Sequence, residues 1–215
     1  MLLNDLLIDD KPREKLLKNG AKHLSNAELL ALLLRTGVRG KSSLDLAREL
    51  LKKFGGLSGL LVIDKKKLCS ISGIGDAKFC QIQAAAELMR RELFKELSEK
   101  PILDSSAKAK KFLALNLNCY EKEVFAALFL DNQHRLIAYE ELFFGTINCA
   151  NVYPREIVKK ALEYNAAALI VAHNHPSGND MQSTADLAVT NALKRSLELV
   201  DIRLLDHIII ANNST

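Results

Sequence analysis

Residues 166–172 form an unbroken apolar run, Ala-Ala-Ala-Leu-Ile-Val-Ala, that ends directly on His173-Asn174-His175-Pro176. A run this short, with Ile and Val toward its end, predicts a central buried strand, so the C-terminal half must build a sheet around it. The flanking sequence agrees. Val124–Leu130 and Leu136–Phe144 are rich in Phe, Leu, Ile and Ala and are separated by Asp131-Asn132-Gln133-His134, which predicts an antiparallel hairpin. Pro154 suits the first turn of a helix running to about Tyr164.

The N-terminal half follows a different pattern. Ser25-Asn26-Ala27-Glu28 is a capping box, and the helix it opens runs to about Arg35, with Gly37 beyond its end. Ser42 or Ser43 caps a second helix, whose Leu44, Leu46, Ala47, Leu50 and Leu51 share one face before Gly55-Gly56 ends it. Gly73 and Gly75 then separate a short apolar helix from a long one that starts at Asp76, an arrangement resembling a helix-hairpin-helix element. Such glycines allow a tight turn and leave backbone N–H groups at the second helix free to hold a phosphate oxygen, with Lys78 adding charge. The same glycines also serve a plain connection between packed helices. Pro101 and Asp104 mark the change of pattern, which predicts a helical domain over 1–100 and an α/β domain over 101–215.

Charge is unevenly spread. Residues 1–100 carry 19 basic and 13 acidic side chains, net +6, whereas the remainder carries 11 and 13, net −2. Gly73, Gly75 and Lys78, just beyond Lys65-Lys66-Lys67, are therefore the candidates for sequence-independent contact with DNA. The opening stretch to Ile8 is broken by Asn4 and Asp5 and followed by two aspartates, a pattern of neither a signal peptide nor a membrane span, which predicts a cytoplasmic protein without membrane contact. Cys69, Cys80, Cys119 and Cys149 form no C-x-x-C pair, so neither a thiolate zinc site nor a redox motif is visible, and reduced, mostly buried thiols are expected.

The chemistry is concentrated after the buried strand. Histidines at i and i+2 point to the same side of an extended segment, so both imidazoles of His173 and His175 can reach one ion. Pro176 and Gly178 end the strand, and the returning chain starts a new helix at Ser183-Thr184-Ala185-Asp186, whose first turn offers a carboxylate to the same point. Three N/O ligands with a fourth, water-filled position describe a catalytic zinc site. Taken singly, these residues also fit strand-end histidines and a helix capping box. The spacing of the whole, His-x-His-Pro, six residues, Ser, two residues, Asp, is the JAMM signature of JAB/MPN metallopeptidases, and His173-Asn-His-Pro-Ser-Gly178 resembles the RadC form of it.

The resemblance covers nearly the whole chain, including Gly145-Thr146, Tyr153-Pro-Arg-Glu156 and Leu204-Leu-Asp-His207. It implies an α/β MPN-like domain with a mixed sheet and flanking helices, preceded by the small all-α domain. It also implies a zinc-dependent metallopeptidase or isopeptidase. His173, His175 and Asp186 would hold zinc, its bound water would attack an amide carbonyl, and Ser183 would help stabilise the oxyanion. JAMM enzymes use a Glu on an early strand as general base. Here Glu156, in the RadC-like Pro154-Arg155-Glu156 segment, is favoured over Glu140 and Glu141. Asp206 and His207, on the last apolar run, are candidates to orient a ligating imidazole. His23 and His134 receive no role.

Three other readings compete with this one. A DNA-repair accessory protein with a structural or vestigial metal site suits the basic N-terminal half, and DNA binding without zinc-dependent hydrolysis would distinguish it. A zinc deaminase is disfavoured because the H-x-E and P-C-x-x-C elements are absent. An HNH nuclease is disfavoured because its histidines would be distributed around a ββα metal fold instead of adjoining at one strand end.

Overall fold

The computed structural model describes residues 11–102, 106–145, 152–179 and 181–211. Asp104, Thr146, Cys149 and the last four residues lie outside the described residues. The chain forms two compact units that divide between Glu87 and Leu88.

The N-terminal unit contains helices α1 (Pro12–Asn19), α2 (Asn26–Leu34), α3 (Ser43–Lys53), α4 (Leu57–Leu61) and α5 (Lys65–Cys69), and the start of α6 (Asp76–Glu99). Its helix starts follow from side-chain caps: Ser25 with Glu28, and Ser42 with Asp45, form reciprocal capping boxes. Leu44, Leu46, Ala47 and Leu50 are buried on one face of α3 and join Leu30, Leu34, Leu68 and Ile82 in a single core. The division falls inside α6, upstream of the expected boundary near residue 100. The last turns of α6 pack within the second unit, where Arg90 donates to the Leu115 carbonyl (3.0 Å) and Phe94 meets Phe112.

The C-terminal unit is built on strands β1 (Val124–Leu130), β2 (Leu136–Phe144), β3 (Ala168–His175) and β4 (Arg203–Ala211) in the order β2-β1-β3-β4. The β1/β2 and β1/β3 pairs are antiparallel, while β3/β4 is parallel, making a mixed sheet. Every residue of β1 is buried, as are the first seven of β3, because helices cover both faces. On one face Phe125, Ala127, Phe129, Leu169 and Val171 pack against helices α8 (Pro154–Glu163) and α9 (Thr184–Glu198). On the other, Phe112 of α7 (Ser106–Leu117) stacks edge-on against Tyr139 of β2. Asn165, with φ +49°, ends α8 in the left-handed conformation that asparagine tolerates and turns the chain into β3.

The cysteines depart from expectation. Cys80 and Cys119 are exposed and Cys69 is half-buried, since each falls on a helix side or loop that the cores leave outside. All three are free thiols.

Candidate metal centre

Alternation along β3 puts His173 and His175 on the α8/α9 face, where the pairing with β1 ends at His173 while β4 still pairs to His175. Their Nε2 atoms converge to 2.8 Å. The loop that follows turns at Gly178, whose positive φ of +81° suits glycine and whose N–H donates to the His175 carbonyl. It returns at Ser183, the N-cap of α9. The capping box there aims a carboxylate: Ser183 donates its hydroxyl (2.7 Å) and its backbone N–H (2.8 Å) to Asp186 Oδ2, and its oxygen accepts from the Asp186 N–H. The same Ser-x-x-Asp spacing thus starts a helix and presents a candidate ligand. Asp186 Oδ1 lies 3.3 Å from His173 Nε2, and Oδ2 lies 3.8 Å from His175 Nε2.

These three residues each offer a donor atom, all within 4.8 Å of one another. Donors on one tetrahedral zinc stand about 3.3 Å apart, given bonds of about 2.0 to 2.1 Å. The His173–Asp186 spacing meets that distance, and the two imidazoles need to part by about half an ångström. The ring nitrogens also suit a cation. His175 Nδ1 lies 2.7 Å from the Asn179 carbonyl, which only accepts, so Nδ1 carries the hydrogen and Nε2 presents a lone pair. His173 Nδ1 lies 2.8 Å from Nε2 of His207, which β4 delivers beside Val171 of β3. His207, flagged in the sequence with Asp206, therefore does reach a candidate ligand. Asp206 instead accepts from the His207 backbone N–H.

Electrostatics favour the ligating forms. Burial, then His207 itself, hold the His173 imidazole below its ordinary pKa, and burial does the same to His207. Both rings stay neutral near pH 7. Burial pushes the Asp186 carboxyl up, but the two Ser183 hydrogen bonds and the adjacent histidines outweigh it and hold the group below the usual carboxylate value. Phe125 lies parallel to the His173 ring at 6.2 Å and walls off one side.

The cavity over this cluster measures about 320 Å³ and is lined by Ser183, His207, Val152 and Met181 as well as the three candidate ligands. The one glutamate among its lining residues is Glu123, which immediately precedes β1 and lines the cavity together with Phe125 and His173. Sequence reasoning missed it. Glu156, the favoured base, is absent from that lining: it sits in the first turn of α8 and pairs with Arg155 at 3.0 Å. Glu140 bonds the Tyr164 hydroxyl and lies 3.4 Å from Lys160. Glu141 accepts from the hydroxyls of Tyr120 and Tyr139. The available signal was the early-strand position itself, since β1 is the first strand and Glu123 is the residue just before it. What the sequence did not disclose is that β1 lies beside β3.

Asn174, between the two histidines, points to the opposite face and is 2% exposed. Its Oδ1 accepts from the Val124 N–H (2.7 Å), and its Nδ2 donates to the carbonyls of Lys122 (3.0 Å) and Tyr120 (3.3 Å). The histidine strand thereby holds the backbone on both sides of Glu123.

In the N-terminal unit, Lys78 Nζ donates to the carbonyls of Thr36 (2.6 Å) and Gly73 (2.8 Å), so a phosphate contact through it must first break these bonds. Gly73 has φ +87°, and a Cβ there would lie 1.9 Å from Val38 Cγ1, whereas a Cβ at Gly75 meets nothing within 4 Å. Gly73→Ala is expected to destabilise the protein by about 1 to 3 kcal/mol, and Gly75→Ala by no more than about 0.5 kcal/mol. Urea unfolding of the full chain measures both. Equal losses would contradict the steric account.

Among the described residues no helix is long and apolar enough to cross a membrane. Compared with known proteins, residues 103–215 match the RadC-like JAB domain family and residues 3–80 the UPF0758 N-terminal family. A UPF0758 protein of Nitrosospira multiformis is 53% identical over 215 residues, covering 100% of this chain and 96% of the relative. One from Methylibium petroleiphilum is 55% identical over 212 residues, covering 99% and 96%. One from Thioalkalivibrio sulfidiphilus is 54% identical over 213 residues, with the same coverage.

Proposed function

Since this chain belongs to the RadC-like JAB family, we propose that it is a zinc-dependent hydrolase of peptide or isopeptide bonds, with His173, His175 and Asp186 as ligands and Glu123 as general base. The observation that carries this reading is the convergence of two imidazole nitrogens and a carboxylate within 4.8 Å, in a cavity that also holds a glutamate. Zinc held there supplies Lewis acidity toward a carbonyl and lowers the pKa of a water ligand to about 7. Glu123 takes up the proton of the attacking water on its carboxylate and returns it to the leaving amine. Phe125, Val152 and Val189 give the cavity apolar walls beside the scissile bond, with the largely exposed Met181 at its rim. Ser183 orients Asp186. To stabilise an oxyanion as well, its hydroxyl must exchange the Asp186 bond for one to the substrate oxygen.

The direct test incubates the zinc-loaded protein with peptide and isopeptide libraries and reads cleavage by mass spectrometry. Cleavage that stops on chelation and returns with zinc is the expected result. DNA binding with no zinc-dependent cleavage of any amide would overturn the proposal in favour of a DNA-associated accessory role through Gly73, Gly75 and Lys78.

A further inference from the structure

We propose that Thr190 is a positioning residue that sets the tautomer of His173 through His207, and so decides whether His173 Nε2 offers a lone pair to a metal. The inference rests on the zinc reading of this site. It follows from counting hydrogens. Thr190 Oγ1 lies 2.6 Å from the backbone carbonyl of Asp186, one helical turn earlier on α9. A carbonyl only accepts, so the single hydroxyl hydrogen of Thr190 is spent there. Thr190 Oγ1 also lies 2.6 Å from His207 Nδ1. With no hydrogen left to give, it accepts, and His207 must carry its hydrogen on Nδ1. In a neutral imidazole Nε2 is then bare, and at 2.8 Å it accepts from His173 Nδ1. That leaves His173 Nε2 without a hydrogen, facing His175 Nε2 and Asp186 Oδ1.

The chain therefore begins at the Asp186 carbonyl and ends at the Asp186 carboxylate, passing through α9, β4 and β3. Each link is directional, and Thr190 sets the direction from the His207 end, against Asp186 Oδ1, an acceptor 3.3 Å from His173 Nε2 that favours a hydrogen there when no cation is bound. Were its hydroxyl removed, His207 could carry its hydrogen on Nε2. His173 would then accept at Nδ1 and present an N–H where a ligand needs a lone pair.

The test uses the full-length protein and two readouts independent of hydrolysis. Imidazole ¹⁵N chemical shifts at pH 8, without metal, should show both His173 and His207 protonated at Nδ1. In Thr190→Val, nearly the same size, His207 should shift toward Nε2–H, and zinc affinity by chelator competition should fall about 10-fold or more, as is usual when the hydrogen-bond partner of a ligating histidine is disturbed. Thr190→Ser, which restores the hydroxyl, should bring back both the spectrum and the affinity. A merely structural threonine would not link the two. A parent His207 carrying its proton on Nε2, or a Val variant with parental tautomers and affinity, overturns the inference. Should the Val variant fail to fold, the parent spectrum alone decides. A parent that binds no zinc defeats the metal reading, while its spectrum still tests the hydrogen-bond chain.

Discussion

His175→Ala is expected to leave the protein without zinc, against about one zinc per chain in the parent. Of the three candidate ligands, His175 is the one whose removal disturbs the fold least. It is the last residue of β3, it follows the buried run, and among the described residues its one hydrogen-bond partner outside the site is the Asn179 carbonyl in the adjoining loop. Two donors, His173 and Asp186, remain, and a pair of protein ligands competes poorly with water and chelators. Elemental analysis after dialysis measures the loss. Thermal unfolding supplies an independent reading, because a ligand bound only by the native state raises the melting temperature. Added zinc should stabilise the parent and leave His175→Ala unmoved. His134→Ala is the control, since His134 sits in the β1–β2 turn near Arg203 and should keep full zinc. Equal zinc in parent and His175→Ala would sink the metal site.

The convergence of His173, His175 and Asp186 was legible in the sequence because each part obeys a local rule. Alternation in a strand puts residues 173 and 175 on one side, and a helix start fixes Asp186 against Ser183 three residues before. The hairpin and the capped helices were readable on similar grounds. Glu123 was not, because its place depends on β1 pairing with β3, with Phe125 opposite His173 across 48 positions of chain. Thr190 was hidden for the same reason: its partner His207 arrives by the parallel pairing of β3 with β4. Helix α7 carried no expectation. Its second half, Phe112-Leu113-Ala114-Leu115-Asn116-Leu117, is apolar at nearly every position, so neither a strand nor a helix period stands out. Lys78 was assigned by its charge, whereas the fold spends its ammonium group on two carbonyls.

Glu123→Gln is expected to keep zinc and the fold while lowering hydrolysis by about 100-fold or more, the usual contribution of a positioned acid-base group. Glutamine has almost the size of glutamate and preserves its place just before β1, but an amide oxygen does not take up a proton at neutral pH. Because Glu123 stands outside the three-ligand set, zinc content should match the parent. The contrast with Glu156→Gln makes the experiment decisive. Glu156 is bound to Arg155 on an exposed helix turn, so its amide variant should turn over substrate at close to the parental rate. Gln substitutions at Glu140 and Glu141 disturb tyrosine contacts on β2 and should leave the dependence on Glu123 intact. Undiminished turnover in Glu123→Gln together with loss in Glu156→Gln would return the base to the start of α8, and require that helix turn to approach the ligands when substrate binds.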